Sequence, residues 1–148
     1  MSSSVSLYHH VVFSTKNRIP LLSRSLRLDL YKFINNKVKE LSGNVICING
    51  YVDHIHILIC IPSSISLSEY IKYIKGASSR WINKMDLYKG LLFRWQKGYF
   101  AESISKKDLN RIKKYIRSQE IKHFNPDSEF ELADLESRYK NFKKRYDL

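Results

Sequence analysis

Two kinds of hydrophobic pattern, alternating and helical, divide the first half of the chain into strands and a helix. Residues 7–14 (LYHHVVFS) are rich in β-branched and aromatic side chains and predict a first strand, and residues 44–49 (NVICIN) predict a second. Between them, apolar residues recur with helical spacing over about residues 25–41, and Gly43 is placed to end that helix. Gly50 opens a tight turn into a third strand, so the second and third strands should form a hairpin.

The second half of the chain continues the alternation of helices and strands. Ser66-Leu67-Ser68-Glu69 is a capping-box pattern that starts a second helix. Residues 93–95 and 99–103 predict two shorter strands. Residues 105–108 then cap a third helix that reaches about Lys122.

A last helix is predicted over about residues 126–146, because Asn125-Pro126 pairs an N-cap residue with proline in the first turn. The predicted order is β-α-β-β-α-β-β-α-α, in a single domain of residues 1–148 with a core of about 5–124. This order predicts an α+β, ferredoxin-like (RRM-like) sandwich, an antiparallel sheet with helices packed mainly on one face. The other face would be open for a ligand or for another copy of the protein.

The charge balance narrows the class of partner. Lys and Arg number 26 against 14 Asp and Glu, a net charge of +12, which favours a polyanionic partner, most often nucleic acid. A membrane surface is the rival, but no basic amphipathic anchor, lipidation signal, signal peptide or span of about 20 apolar residues is found. Cys47 and Cys60 have no metal-type spacing, and we expect reduced core cysteines of an intracellular protein.

Two histidines interrupt an aliphatic strand at residues 51–60 (YVDHIHILIC). His54 and His56 share one face of the strand, about 6.6 Å apart along the chain. The other face carries Ile55, Ile57, Ile59 and Ile61. Two neutral imidazoles can converge on a divalent metal ion, although such a pair is more often a half-exposed surface pair. A third ligand is needed to decide between these interpretations.

The third helix offers that ligand. Its buried stripe consists of Leu109, Ile112 and Ile116. A separate polar stripe is formed by Asp108, Arg111, Tyr115, Gln119 and Lys122. Tyr115 and Gln119 lie one turn apart, and on this helix alone the simpler interpretation places Tyr115 at the core edge and Gln119 in solvent.

In combination, these features resemble the single-tyrosine HUH transposases of the smallest bacterial and archaeal insertion sequences, the IS-two-hundred / IS-six-oh-five type. Five stretches match the family pattern in order. They are residues 8–16 (YHHVVFSTK), 49–56 (NGYVDHIH), 74–79 (IKGASS), 93–99 (FRWQKGY) and 114–120 (KYIRSQE). Tyr51-Val52 departs from the usual Met-Pro, Phe124 stands where a second histidine is frequent, and residues from Asn125 onward fit the family poorly.

The resemblance implies a metal-dependent single-strand DNA endonuclease and strand transferase that cuts at hairpin-bearing transposon ends. It implies Tyr115 as the nucleophile of a 5′-phosphotyrosine intermediate, with His54, His56 and Gln119 holding one Mg²⁺ or Mn²⁺ ion. It also implies a homodimer in which Tyr115 acts in cis or in trans, with no nucleotide cofactor. The location would be the prokaryotic cytoplasm, at the nucleoid.

Basic residues on the predicted helices and strands are candidates for contacts to the DNA backbone. They are Lys72, Lys75, Arg80, Arg94, Lys97, Arg111, Lys113 and Lys114. Tyr99 and Phe100 are candidates for stacking on unpaired bases, with core packing expected for at least one. Asp53 either orients His54 or only forms the turn. We assign His9 and His10 to the sheet alone.

Three other functions share some of these sequence features. A histidine-triad nucleotide hydrolase would need a third histidine at position 58, which is Leu58. A rolling-circle replication initiator or relaxase is disfavoured by the short chain. The serious alternative is a non-cleaving, domesticated module of the same fold that binds hairpin DNA or RNA, against which the intact set of His54, His56, Tyr115 and Gln119 argues.

Overall fold

The computed structural model describes residues 6–119, which form an α+β fold of four strands and three α-helices. The elements are β1 (Leu7–Ser14), α1 (Arg24–Glu40), β2 (Asn44–Tyr51), β3 (His54–Ile61), α2 (Leu67–Lys84), β4 (Phe100–Ile104) and α3 (Leu109–Arg117). Short 3-10 helices at Lys16–Arg18 and Lys106–Asp108 follow β1 and precede α3. The helix predicted over about 126–146 lies outside the described residues.

The four strands form one antiparallel sheet in the order β2-β3-β1-β4. Strand β3 pairs with β1 over its full length, from Leu7 opposite Ile61 to Ser14 opposite His54. Strands β2 and β3 form the predicted hairpin, and β4 joins the other edge of β1. The prediction of an α+β sandwich built on an antiparallel sheet is therefore confirmed.

The main core lies between the sheet and the helices α1 and α2. The four isoleucines of β3 that were expected on one face are at most 3% exposed and belong to this core. Phe33 of α1 stacks on Trp81 of α2 with ring centroids 4.7 Å apart. Full burial of each such aliphatic side chain contributes about 1.5–3 kcal/mol, so this face supplies most of the stabilisation.

Both long helices begin at capped residues. The Ser23 side chain accepts a hydrogen bond from the Leu26 N–H, and Ser66 accepts one from the Glu69 N–H, as its capping-box pattern predicted. Helix α1 therefore begins at Arg24, one residue before the predicted start.

Among the described residues, no helix has both the length and the apolar character needed to cross a membrane.

Gly43 has a different role from the predicted one. The left-handed residue after α1 is Ser42, with φ of 61°, while Gly43 donates its N–H to the Val38 carbonyl. A Cβ on Gly43 would collide with the hydroxyl oxygen of Tyr70, which donates to the same carbonyl at 2.8 Å. Glycine is needed here because the Tyr70 side chain approaches the backbone closely.

Two local predictions were wrong. Gly50 does not open the hairpin turn but pairs with Ile55 inside β2, and the turn is formed by Val52 and Asp53. Residues 93–95 do not form a strand: Trp95 makes a single bridge to Thr15. The apolar character of that segment reflects burial, because Phe93 and Trp95 pack into the core at 1% and 9% exposure.

Helix α3 packs on the opposite face of the sheet from α1 and α2. There Ile112 and Ile116 form a second, small cluster with Leu58 of β3. The expectation that this face is open thus holds only in part, because a helix covers some of it.

Cys47 lies at the edge of the small cluster around Leu58, and burial raises the pKa of its thiol. It and Cys60 are half-buried free thiols, less buried than predicted.

Candidate active site

Strand β3 places His54 and His56 on the face of the sheet that α3 covers. Their ring centroids lie 5.2 Å apart, with the ring planes at 74° to each other. The two residues are 5% and 3% exposed. The interpretation as a half-exposed surface pair is therefore wrong, and buried polar rings of this kind require specific partners.

Asp53 is the partner of His54. Its Oδ1 lies 2.7 Å from the His54 Nδ1, and its Oδ2 accepts a hydrogen bond from the Arg18 Nε at 3.1 Å. Burial raises the pKa of the Asp53 carboxyl, but the interactions with His54 and Arg18 outweigh burial, so the net pKa is below its ordinary value. Because a carboxylate only accepts, the neutral His54 ring carries its proton on Nδ1 and its lone pair on Nε2. Asp53 thus contacts and orients His54.

His10 of β1 is the partner of His56, and sequence reasoning missed it. The His10 Nε2 lies 2.9 Å from the His56 Nδ1, and the two rings stack with centroids 5.2 Å apart. The His10 Nδ1 is 3.4 Å from Oε1 of Glu102, which stands opposite His10 on β4. Burial lowers the pKa of His10, and Glu102 offsets only part of that effect, so the net shift favours the neutral ring.

A signal for His10 was present in the alternation of β1. Val11 and Phe13 are core residues at 0% and 2% exposure, so the residues that alternate with them, His10 and Val12, point to the other face. His10 is 5% exposed there. Knowledge that β1 pairs with β3 would have placed it beside His56.

Tyr115 reaches the same group of rings from α3. Its ring is edge-on to both neighbours, with its centroid 5.7 Å from that of His56 and 6.0 Å from that of His10. The ring is half-buried at the margin of the small cluster around Leu58, as expected for a tyrosine at a core edge. The candidate nucleophile and the candidate metal-binding imidazoles therefore meet on one face of the sheet within a single chain.

Gln119 is buried rather than solvated, with 2% exposure. Its amide nitrogen donates to the Tyr115 carbonyl at 3.3 Å, so a cation would take its amide oxygen. Within residues 6–119, no cluster of three or more His, Cys, Asp or Glu side chains is suited to a metal ion. The assignment of Gln119 as the third ligand stays a prediction.

Asn49 holds the end of α3 against the sheet. It stands opposite His56 on β2, and its amide nitrogen donates to the carbonyls of Ile116 and Arg117 at 3.0 and 3.2 Å. The last carbonyls of a helix lack partners within the helix, so a side-chain donor at this point satisfies them. Sequence reasoning did not identify this contact, since 67 residues separate Asn49 from Ile116.

Most of the candidate DNA-contacting residues are exposed. Lys72 and Arg80 lie on α2, Arg94 and Lys97 in the segment before β4, and Arg111 and Lys114 on α3, while Lys113 of α3 is half-buried. Of the two aromatic candidates, Tyr99 packs against the core, and Phe100 is 45% exposed with its ring 6.2 Å from that of His10.

Lys75 differs from the other basic candidates. Its ammonium donates to the carbonyls of Gln96 and Gly98 at 2.7 and 2.8 Å, and lies over the Phe13 ring. Burial lowers its pKa to about 8. This side chain ties the segment before β4 to α2, because two of its ammonium hydrogen bonds are made within the fold.

Comparison with known proteins identifies relatives in sequence. A family model described as "Transposase IS200 like" matches residues 3–119. The transposase for insertion sequence element IS200 of Salmonella typhimurium is 28% identical over 116 residues, which cover 75% of each chain. The ISDra2 transposase TnpA of Deinococcus radiodurans is 26% identical over 122 residues, 78% of this chain and 86% of that protein.

Two solved structures share the fold. One, from Deinococcus radiodurans and described as a transposase, has a TM-score of 0.63 at 19% identity and covers 80% of this chain and 95% of its own. The other is a REP-associated tyrosine transposase bound to a REP hairpin, with a TM-score of 0.63 at 18% identity. Its match covers 84% of this chain and 75% of that one.

Proposed function

Because the chain belongs to the IS200-like transposase family, we propose that this transposase cleaves and rejoins single-stranded DNA at hairpin-bearing ends of an insertion sequence. The observation that carries the proposal is the position of Tyr115, whose ring lies 5.7 Å from that of His56 on one face of the sheet. A hydroxyl nucleophile beside imidazoles able to bind a cation is an arrangement suited to phosphodiester cleavage through a covalent intermediate.

In the proposed reaction, the Tyr115 phenol oxygen attacks the scissile phosphorus. The new oxygen–phosphorus bond forms as the bond from phosphorus to the 3′ oxygen breaks. Tyr115 loses its proton to solvent, and the leaving oxygen takes up a proton to become a 3′-OH. The phosphate stays on the 5′ end as a phosphotyrosine. Attack by the 3′-OH of another strand reverses these steps, so the bond energy is conserved and no nucleotide cofactor is needed.

The residues present fit a divalent cation, Mg²⁺ or Mn²⁺. His54 and His56 would hold it through Nε2, because each uses Nδ1 for a contact within the protein, and Gln119 would add its amide oxygen. Both Nε2 atoms are buried. Three protein ligands suit a catalytic site that keeps open positions. When bound, the cation would polarise a non-bridging phosphate oxygen, which a phenol with an ordinary pKa of about 10 needs in its target.

The DNA would be held mainly by basic side chains on its phosphates. The exposed candidates lie on α2, on α3 and in the segment between α2 and β4, and such contacts weaken as salt rises. A relative of the same fold is bound to a REP hairpin, which makes single-stranded hairpins the appropriate probes. Exposed Phe100, beside His10, is the better placed of the two aromatic candidates for stacking on an unpaired base.

The test uses single strands from the DNA that flanks the gene, with each hairpin intact and a label on the 3′ end. The protein is incubated with them and Mn²⁺ or Mg²⁺, and the products are separated on a denaturing gel. We expect a labelled protein band that Tyr115→Phe abolishes and a chelator prevents. Tyr73→Phe is the matched control, because Tyr73 is an exposed tyrosine on α2 and should leave the band unchanged.

Two results would contradict the proposal. A covalent band that survives in Tyr115→Phe would assign the nucleophile to another residue. Tight binding of every flanking strand by the wild-type protein without a covalent band would support the non-cleaving hairpin-binding module instead.

We further propose a homodimer in which each Tyr115 serves its own chain, since the ring contacts His56 of the same chain. Mixing Tyr115→Phe with His56→Ala protein tests this point. Exchanged subunits restore cleavage only if Tyr115 acts on the partner's histidines, so continued inactivity of mixed dimers is the expected result. Recovery of the covalent band would show action in trans.

A further inference from the structure

We propose that Glu102, His10 and His56 form a hydrogen-bonded chain that holds His56 with its proton on Nδ1 and its lone pair on Nε2. His10 is then a positioning residue for the imidazole that meets the cation, and Glu102 sets the direction of the chain. The inference rests on the proposed function in one respect, namely that His56 binds a cation.

The Glu102 carboxylate fixes the first proton position of the chain. Glu102 Oε1 is 3.4 Å from the His10 Nδ1, and a carboxylate only accepts hydrogen bonds. The neutral His10 ring must therefore carry its proton on Nδ1, because the opposite tautomer would set two acceptors against each other. The His10 Nε2 then has a lone pair and can only accept.

The tautomer of His10 then determines that of His56. The His10 Nε2 lies 2.9 Å from the His56 Nδ1, and an accepting nitrogen requires a donating partner. His56 therefore carries its proton on Nδ1. Its lone pair must then be on Nε2, which is the only form in which that buried nitrogen can bind a cation. With the proton on the other nitrogen, His56 would be unable to act as a ligand through Nε2.

His54 reaches the same tautomer by a shorter route, through direct contact of Asp53 Oδ1 with its Nδ1 at 2.7 Å. Each imidazole of the pair is thus set by a carboxylate, in one case directly and in the other through an intervening imidazole. The register of the sheet explains the difference. Val12 of β1, not an acid, stands opposite His56, so the nearest carboxylate on that face is one strand further away, opposite His10.

The most direct test is the tautomeric state of the rings in the protein without metal or DNA. Long-range proton–nitrogen NMR correlations of the histidine side chains, recorded at about pH 8, above the ordinary histidine pKa of about 6.5, report which nitrogen carries the proton. We expect His54 and His56 to carry it on Nδ1. In Glu102→Ala, we expect His56 to become a mixture of tautomers while His54 is unchanged, since His54 depends on Asp53.

Mn²⁺ affinity supplies a second measurement that does not depend on cleavage. Loss of a residue that orients a metal ligand costs about 10- to 100-fold in affinity. We expect a loss in that range for His10→Phe, which keeps a stacking ring but has no acceptor. His10→Gln should recover much of the affinity, because its amide oxygen can accept from the His56 Nδ1. Glu40→Ala removes a carboxylate of similar exposure on α1 and should change nothing.

The outcomes separate this inference from the proposed function. A wild-type His56 with its proton on Nε2, or unchanged tautomers and Mn²⁺ affinity in Glu102→Ala, would overturn the chain while the Tyr115 adduct could still form. An Nδ1-protonated His56 in a protein that never forms an adduct would leave the chain intact and overturn cleavage. Glu102 is half-exposed at the surface, so its variant keeps the test valid even if His10→Phe fails to fold.

Discussion

The two faces of strand β3 carry opposite chemistry within eight residues. One face presents isoleucines to α1 and α2, which have 17 and 18 residues and close a large apolar core. The other presents His54, His56 and Leu58 to α3, which has nine residues and contributes two fully packed isoleucines. The first face provides most of the stability. The second face holds buried polar rings, and each ring has its own specific hydrogen-bond partner.

This division explains how two buried histidines are tolerated. Burying a polar group without a hydrogen bond costs about 1–3 kcal/mol in proteins. Asp53 and His10 each remove part of that cost for one ring. The same contacts involve Nδ1 of both histidines, so groups that limit the energetic cost of burial also orient the two rings.

The difference between the two faces can be tested by substituting one residue on each face of β3. Ile57→Ala, on the core face, should lower the free energy of unfolding by about 2–5 kcal/mol through lost burial and a cavity. The adjacent change His56→Ala should cost about 1–2 kcal/mol, mainly because His10 loses its partner. It should also reduce the covalent DNA adduct strongly, because the proposed cation would lose one of its imidazole ligands. Urea denaturation and the denaturing gel measure the two effects.

One outcome of this pair of substitutions would contradict the separation of the two faces. If folded Ile57→Ala protein, assayed below its unfolding transition, lost more adduct than His56→Ala, the two faces would not be functionally separate.

The core face, which α1 and α2 cover, can be probed further by substituting two glycines. Gly43→Ala should destabilise the protein by about 1–3 kcal/mol, because its Cβ would displace the Tyr70 hydroxyl from the end of α1. Gly76→Ala is the control, since it lies within α2 and its Cβ would meet only the mobile end of Arg80, at 3.3 Å. We expect it to stabilise by about 0.5–1 kcal/mol through helix propensity. Equal effects in thermal unfolding would refute the close approach of Tyr70.

On the histidine face, Asn49→Asp tests what holds α3 in place. Aspartate keeps the size of the side chain but cannot donate to the Ile116 and Arg117 carbonyls. We expect a stability loss of about 1 kcal/mol. Amide exchange should become faster in α3 and stay unchanged in α1, and the adduct yield should fall as Tyr115 moves away from His56. Uniform acceleration of exchange in both helices would instead indicate a general loss of stability.

The smallest expected effect is a pH dependence from Lys75. Its pKa falls from 10.5 to about 8 on folding because of burial, so the folded protein binds fewer protons than the unfolded chain between these values. Stability attributable to this group should therefore rise as pH increases from about 8 to 10.5. Lys75→Met should lack that rise when the two proteins are compared by urea unfolding across this range. Parallel pH profiles would show that Lys75 is not desolvated.

Features that depend on residues close in the chain were predicted from the sequence, whereas features that depend on distant residues were not. The caps of α2, the isoleucine alternation of β3 and the β2–β3 hairpin were predicted correctly, since each depends on residues close in the chain. The segment 93–95 was mistaken for a strand because burial of Phe93 and Trp95 gives the same pattern as a strand does. Periodicity also could not show that α3 would pack on the face opposite to α1 and α2.

By itself, the sequence determined where the polar chemistry lies along the chain: two imidazoles on one face of an aliphatic strand, and a tyrosine beside the apolar stripe of a later helix. Tertiary structure alone decided which other groups join them. His10 meets His56 across 46 residues and Glu102 meets His10 across 92. Such meetings depend on strand order and register, which pairing over the whole sheet determines and no local pattern encodes.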